Sequence, residues 1–125
     1  MERRAFIAGT AAAAVLGTAA GAAPAGQPKY GLIGRMLAKP GQRDALVAIL
    51  LDGVADMPGC LSYIVAEDPD DANAIWITEA WDSEASHKAS LALPGVQAAI
   101  GKARPLIAGM DNGRVTRPIG GHGLK

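Results

Sequence analysis

Aromatic side chains are scarce in this chain: Phe6, Tyr30, Tyr63, Trp76 and Trp81 are all it has. Each of them therefore stands out as core or site material. There is a single cysteine, Cys60, so no internal disulfide can staple the fold and a packed core must hold it. Formal net charge is zero, and like charges gather only in short runs. That excludes the clustered Lys/Arg footprint, with stacking aromatics, of a nucleic-acid binder. No G-x-G-x-x-G opens a helix, no phosphate loop is present, and no Cys/His cluster has metal-ligand spacing. Ser62, Ser83, Ser86 and Ser90 lack the glycine-flanked elbow of a hydrolase nucleophile.

What is there is one small domain's worth of chain, 125 residues, half of it hydrophobic and rich in alanine. Residues 1–25 read as a leader outside the fold. Arg3-Arg4-Ala5-Phe6-Ile7 resembles a twin-arginine export signal, with Glu2 and Ala8 departing from its usual flanks. An Ala/Gly/Thr-rich run, Ile7 to Ala23, follows, and Ala23-Pro24-Ala25 offers the small residues a signal peptidase reads. A membrane anchor is the competing reading, but alanine and glycine gain little from hydrocarbon. Cleavage leaves ten basic and eleven acidic side chains, a domain drawn neither to membranes nor to acidic polymers. The expectation is a periplasmic or secreted protein with no stable membrane association.

The rest divides into residues 26–109, the folded domain, and 110–125, a last strand with a tail. A strand is expected over Tyr30–Ala38, ended by Lys39-Pro40-Gly41. A helix follows over Gln42–Asp56, with Leu46, Ile49, Leu50, Gly53 and Val54 on one stripe. Met57-Pro58-Gly59 stops it. Cys60–Ala66 and Ala74–Trp81 read as strands around a charged hairpin loop that lacks the pattern of a calcium site. Asp82 or Ser83 caps a short helix that Leu93-Pro94-Gly95 breaks, and Val96–Ala103 is helical again. Asp111-Asn112-Gly113 reads as a turn and Arg114–Arg117 as the last strand.

The order β-α-β-β-α-β predicts an α+β, ferredoxin-like fold: an antiparallel sheet with helices on one face. Strands one and two are apolar on both alternations, as in Leu32-Ile33 and Ile64-Val65. A sheet covered on one side should alternate apolar and polar, so the bare face needs a partner, and a homodimer is expected.

The stretch AIWITEAWDSEASHKASLAL, Ala74 to Leu93, carries the chemistry. His87 and Leu91 lie one helical turn apart, so an inward Leu91 brings His87 inward beside Trp81. A titratable group beside an aromatic in an apolar interior is a candidate site. Neutral imidazole can take a proton near pH 7, and Trp81 can wall a planar ring. Glu79 alternates with Trp81 on one strand face and, if buried, needs a partner, for which Arg35 is the candidate.

The E-x-W at Glu79–Trp81, the D-S-E-A helix start and the following His87 resemble the antibiotic biosynthesis monooxygenase (ABM) domain, whose members include quinol monooxygenases. YGLIGRMLAKPG, Tyr30 to Gly41, and PGCLSYIV, Pro58 to Val65, extend the likeness to about Ala108. The resemblance implies a ferredoxin-like dimer of the dimeric α/β-barrel type with a pocket between sheet and helices. It implies a monooxygenase acting with dioxygen on quinol-like or phenolic aromatics, without flavin, metal or other cofactor. His87 is the expected catalytic base, and Trp81, Leu91, Tyr63 and Arg35 the expected substrate-binding residues. Haem-degrading relatives use a strand-one Asn, a strand-three Trp and a His further down the helix. Trp81 matches, but Gly34 stands where that Asn would be and His87 lies too near Trp81. A non-catalytic dimer that binds a small apolar molecule is the rival of another class.

Two features stay open at this level. Cys60 reads as buried and inert, or, if exposed, as an intermolecular bridge or redox thiol. His122, among the tail's glycines, reads as part of a mobile end, or as a group carried to a partner's pocket.

Overall fold

The computed structural model describes residues 28–124, so the expected export signal lies outside the described residues. The elements are β1 (Tyr30–Ala38), α1 (Arg43–Gly53), β2 (Cys60–Glu67), β3 (Ala74–Trp81), α2 (Glu84–Ser90), α3 (Pro94–Ala103) and β4 (Ile107–Thr116), with a 3-10 turn at Arg104–Leu106. The strands form one antiparallel sheet in the order β2-β3-β1-β4. β3 sits between β1 and β2, and α1 makes the crossover. This is the expected α+β ferredoxin-like architecture.

Leu46 and Leu50 of α1 are buried against Met36, Ile75 and Ile77 of the sheet, and this is the core. Helix α1 ends at Gly53, three residues short of the expected Asp56. Pro58 disfavours helical backbone in the residue before it, and Gly53 itself serves packing rather than capping. A Cβ there would strike the Cβ of Ala99, so glycine lets α1 and α3 close together. Ser83, not Asp82, caps α2: its hydroxyl accepts the Ser86 N–H at 3.1 Å.

The expected turn at Asp111-Asn112-Gly113 is a β-bulge inside β4. Ile33 pairs with Arg114 and Arg35 with Asp111, which leaves Asn112 and Gly113 opposite Gly34 alone. Asn112 takes the left-handed backbone, φ 54°, that asparagine tolerates best among residues with a side chain. The last strand thus begins at Ile107 rather than Arg114, and the expected domain boundary at 109/110 falls within it.

The other sheet face has no helix over it. It carries Ile33, Leu37 and Ile64, the last 55% exposed, together with Arg35. Among the described residues no helix is long and apolar enough to cross a membrane.

Candidate active site

Alternation along β3 sends Ile75, Ile77, Glu79 and Trp81 to the helix-covered face. Trp81 is 1% exposed, and its indole Nε1 donates to Glu79 Oε1 at 2.9 Å. Helix α2 starts directly after β3, so its first turn carries His87 back over the strand end. The imidazole meets the Trp81 ring edge-on, with centroids 5.4 Å apart and planes at 74°. Tyr30, the register partner of Trp81 on β1, also meets His87, its ring tilted at 36° with centroids 5.3 Å apart. His87 Nε2 lies 3.9 Å from Glu79 Oε1. That is beyond a hydrogen bond, but it places a carboxylate beside the ring whenever the imidazole takes a proton.

His87, Glu79 and Trp81 face a cavity of about 560 Å³ between the sheet and the helices. Met36 and Met110 form its floor, Leu50 and Met57 one wall, and Val96 and Ile100 another. Its polar lining groups are few, Tyr63, Glu79, His87, Ser90 and Arg104, which suits a ligand with an apolar body and a few oriented substituents. A larger hollow of about 760 Å³ lies outside Tyr30, lined by Lys29, Glu84, Lys88 and Arg117. It is a charged surface groove that holds neither His87, Glu79 nor Trp81.

Tyr63 stands opposite Glu79 in the β2–β3 register and lines the same cavity. Burial, then the nearby charge of Glu79 and the neighbouring Cys60, hold its phenol pKa well above the usual tyrosine range. It is therefore a proton-bearing donor, and no hydrogen-bond partner for its hydroxyl exists among the described residues. Burial also pushes the half-buried Cys60 thiol up, the opposite of an activated cysteine.

Two sequence expectations need correction. Leu91 is not core: α2 ends at Ser90, and Leu91, its C-cap, is 45% exposed at the cavity rim. The helix is seven residues long, and the Leu91 N–H closes a tight turn onto Lys88 rather than extending the stripe. Arg35 does not meet Glu79 and does not line the cavity. Leu32 faces Glu79 across β1–β3, whereas Arg35 faces Trp76, so Arg35 projects from the opposite face. There its guanidinium donates twice to Asp111, at 2.8 and 2.7 Å, and lies 3.7 Å from Asp68 and Asp71.

Sequence reasoning paired Glu79 with the wrong residue and left Tyr30 out of the site. The i, i+2 spacing of Glu79 and Trp81 was the available signal for the first. The second needed the β1–β3 register, which no local pattern encodes. His122 is exposed in a turn closed by a Gly121–Leu124 bridge. Among the described residues no three His, Cys, Asp or Glu side chains gather as a metal ion would require.

The antibiotic biosynthesis monooxygenase family profile matches residues 30–102. A protein of Chloroflexus aurantiacus J-10-fl, described as a candidate antibiotic biosynthesis monooxygenase, is 65% identical to this chain. It aligns with a TM-score of 0.76 over 78% of this chain and 99% of its own. A candidate of the same description from Caulobacter crescentus CB15 has a TM-score of 0.68 at 19% identity, over 75% of this chain and 92% of its own. Protein SO0527 from Shewanella oneidensis gives 0.65 at 20%, over 74% and 92%. The last two share the fold. No curated protein matches.

Proposed function

This chain belongs to the antibiotic biosynthesis monooxygenase family, and we propose that it oxygenates a quinol-like or phenolic aromatic with dioxygen, using no cofactor of its own. The observation that carries this reading is His87, an imidazole in contact with two aromatic rings on the wall of a largely apolar cavity, 3.9 Å from a carboxylate.

Dioxygen reacts slowly with closed-shell molecules because its ground state is a triplet. A phenolate escapes that barrier by giving up one electron and recombining with the superoxide formed. The protein's task is to make the anion and hold it. His87 takes the phenolic proton, and the Glu79 carboxylate stabilises the imidazolium. Trp81 fixes the ring plane, and the apolar walls keep water from the radical pair. The carbon hydroperoxide that forms takes the proton back and collapses to a ring carbonyl. One dioxygen atom stays in the product and the other leaves as water. The electrons for that reduction come from the C–H bond that is oxidised.

The uncovered sheet face supports a homodimer as the working form, because Ile33, Leu37 and Ile64 would otherwise stay in water. We also propose export through the leader. Changing Arg3 and Arg4 to lysine should hold the protein in the cytoplasm, and unchanged delivery would contradict this.

Oxygen uptake by the purified protein with a panel of quinols and polyphenols tests the activity. Acceleration over buffer without added cofactor is expected. Tight binding with no acceleration would replace the enzyme by a dimeric binding protein for small apolar molecules.

A further inference from the structure

The groove of about 760 Å³ outside Tyr30 shares no lining residue with the ring cavity. Three cations meet in it from three distant stretches of chain: Lys29 just before β1, Lys88 in α2 and Arg117 just after β4. Glu84 is the one acid on its walls. After residue 25 the chain has ten basic and eleven acidic side chains, so a slightly acidic domain collects a net positive charge in one concavity. A solvated charge run is local in sequence, whereas this cluster is assembled by the fold.

The backbone sets the cluster up. Gly31 pairs with Thr116 across β1–β4, and a Cβ on Gly31 would strike the Thr116 hydroxyl and crowd the Pro118 ring. Glycine therefore lets the end of β4 lie close over β1, which brings Arg117 to the same end of the sheet as Lys29. Pro118 favours extended backbone at Arg117. Glu84 and Lys88, one helical turn apart on α2, form the helix wall. None of the three cations makes an ion pair or a side-chain hydrogen bond among the described residues. A concave wall of low dielectric focuses the field of such unpaired charges on an incoming anion. Tyr30 and the exposed Val115 add an aromatic and an aliphatic surface to the same lining.

We infer that this groove binds a small organic polyanion, one with two or more carboxylate or phosphoryl groups on an apolar body. Lys29, Lys88 and Arg117 donate to the anionic oxygens, Arg117 with the planar fork that suits a carboxylate or phosphoryl group. Tyr30 and Val115 take the apolar body. The site goes beyond the reaction proposed for the cavity and draws on none of His87, Glu79 and Trp81. Tyr30 alone touches both, its ring 5.3 Å from that of His87, so an occupant lies one ring away from the cavity.

The test is calorimetry of the intact protein with trimesate, a benzene ring carrying three carboxylates, in dilute buffer with no quinol present. Trimesate should bind about four- to twenty-five-fold tighter than benzoate, as two further exposed ion pairs give. Lys29→Gln, Lys88→Gln and Arg117→Gln should each weaken trimesate about two- to five-fold, the range of one exposed pair. Glu84→Gln should tighten it by a similar factor. Lys39→Gln removes the same charge from the turn after β1, outside the groove, and should change nothing. Each variant carries the test alone if another fails to fold. Trimesate that does not bind the parent protein, or binds it no tighter than benzoate, would overturn the inference. So would groove variants that bind it as the parent does, or a loss in Lys39→Gln equal to theirs. Capture by phosphatidylglycerol vesicles without trimesate binding would make the groove a membrane contact and overturn it as well. None of these outcomes depends on oxygen uptake, so the reading of the cavity stands or falls separately.

Discussion

Trp81 Nε1 and Glu79 Oε1 are joined by a 2.9 Å hydrogen bond between neighbours two residues apart on one strand face. The bond solves two burial problems at once. An indole N–H placed 1% exposed in the core needs an acceptor, and a carboxylate on an apolar face needs a donor. It also fixes Glu79 Oε1 where His87 Nε2 finds it 3.9 Å away, so the strand supplies the charge that the helix residue faces.

Trp81→Phe should therefore cost more than the lost ring area. Phenylalanine keeps an aromatic wall but leaves Glu79 Oε1 unpaired, and about 1–3 kcal/mol of stability should go with it. Trp81→Ala should cost roughly 3–5 kcal/mol and weaken ring binding as well. Urea unfolding of the two variants checks both figures. A phenylalanine variant as stable as the parent would remove the bond from the account.

On the opposite face, the acid response of the fold should depend on Arg35. The Arg35 hydrogen bonds hold the Asp111 carboxyl below its usual range. The Asp70 N–H first, then the Trp76 indole and Arg35, do the same for Asp68. A carboxyl whose folded pKa is depressed contributes stability that is complete above its ordinary value near ~4 and is lost as pH falls through the folded value. Arg35→Met releases Asp111 and takes from Asp68 and Asp71 the cation they share with it. Melting temperatures taken between about pH 7 and pH 2 should fall less steeply on acidification than in the parent. The variant should be the less stable of the two at neutral pH. Parallel acid limbs would contradict this.

The same face should join two copies. Light scattering at micromolar concentration should return a dimer mass. Ile64→Lys, which puts a charge in the middle of β2 on that face, should weaken the dimer about ten-fold or more. A stable monomer in the parent protein would refute the interface.

Much of this architecture is readable from punctuation. Lys39-Pro40-Gly41 and the turns around Asp70 and Asp82 set β1 and β3 to the residue, because proline and glycine act locally. What escaped depends on pairing. Asn112-Gly113 has the chemistry of a turn, and only the register against Gly34 makes it a bulge within a ten-residue strand. Arg35 and Glu79 are each plausible partners by charge. A register that sets Leu32 against Glu79 sends them to opposite faces, and that register comes from tertiary assembly. His87 beside Trp81 was legible because the strand end and the helix start are contiguous in the chain. Tyr30 was not, because it arrives from another strand.

The central claim is that His87 is the base of an oxygenation carried out by this chain's own residues. Its most direct test is the single-turnover rate of a folded, dimeric His87→Ala protein with a quinol that the parent oxidises, measured by oxygen uptake beside a binding isotherm. The account expects the rate to fall about a hundred- to ten-thousand-fold, the usual contribution of a general base, with affinity little changed. A folded His87→Ala protein that turns the quinol over at the parental rate would leave His87 a packing residue and contradict the mechanism.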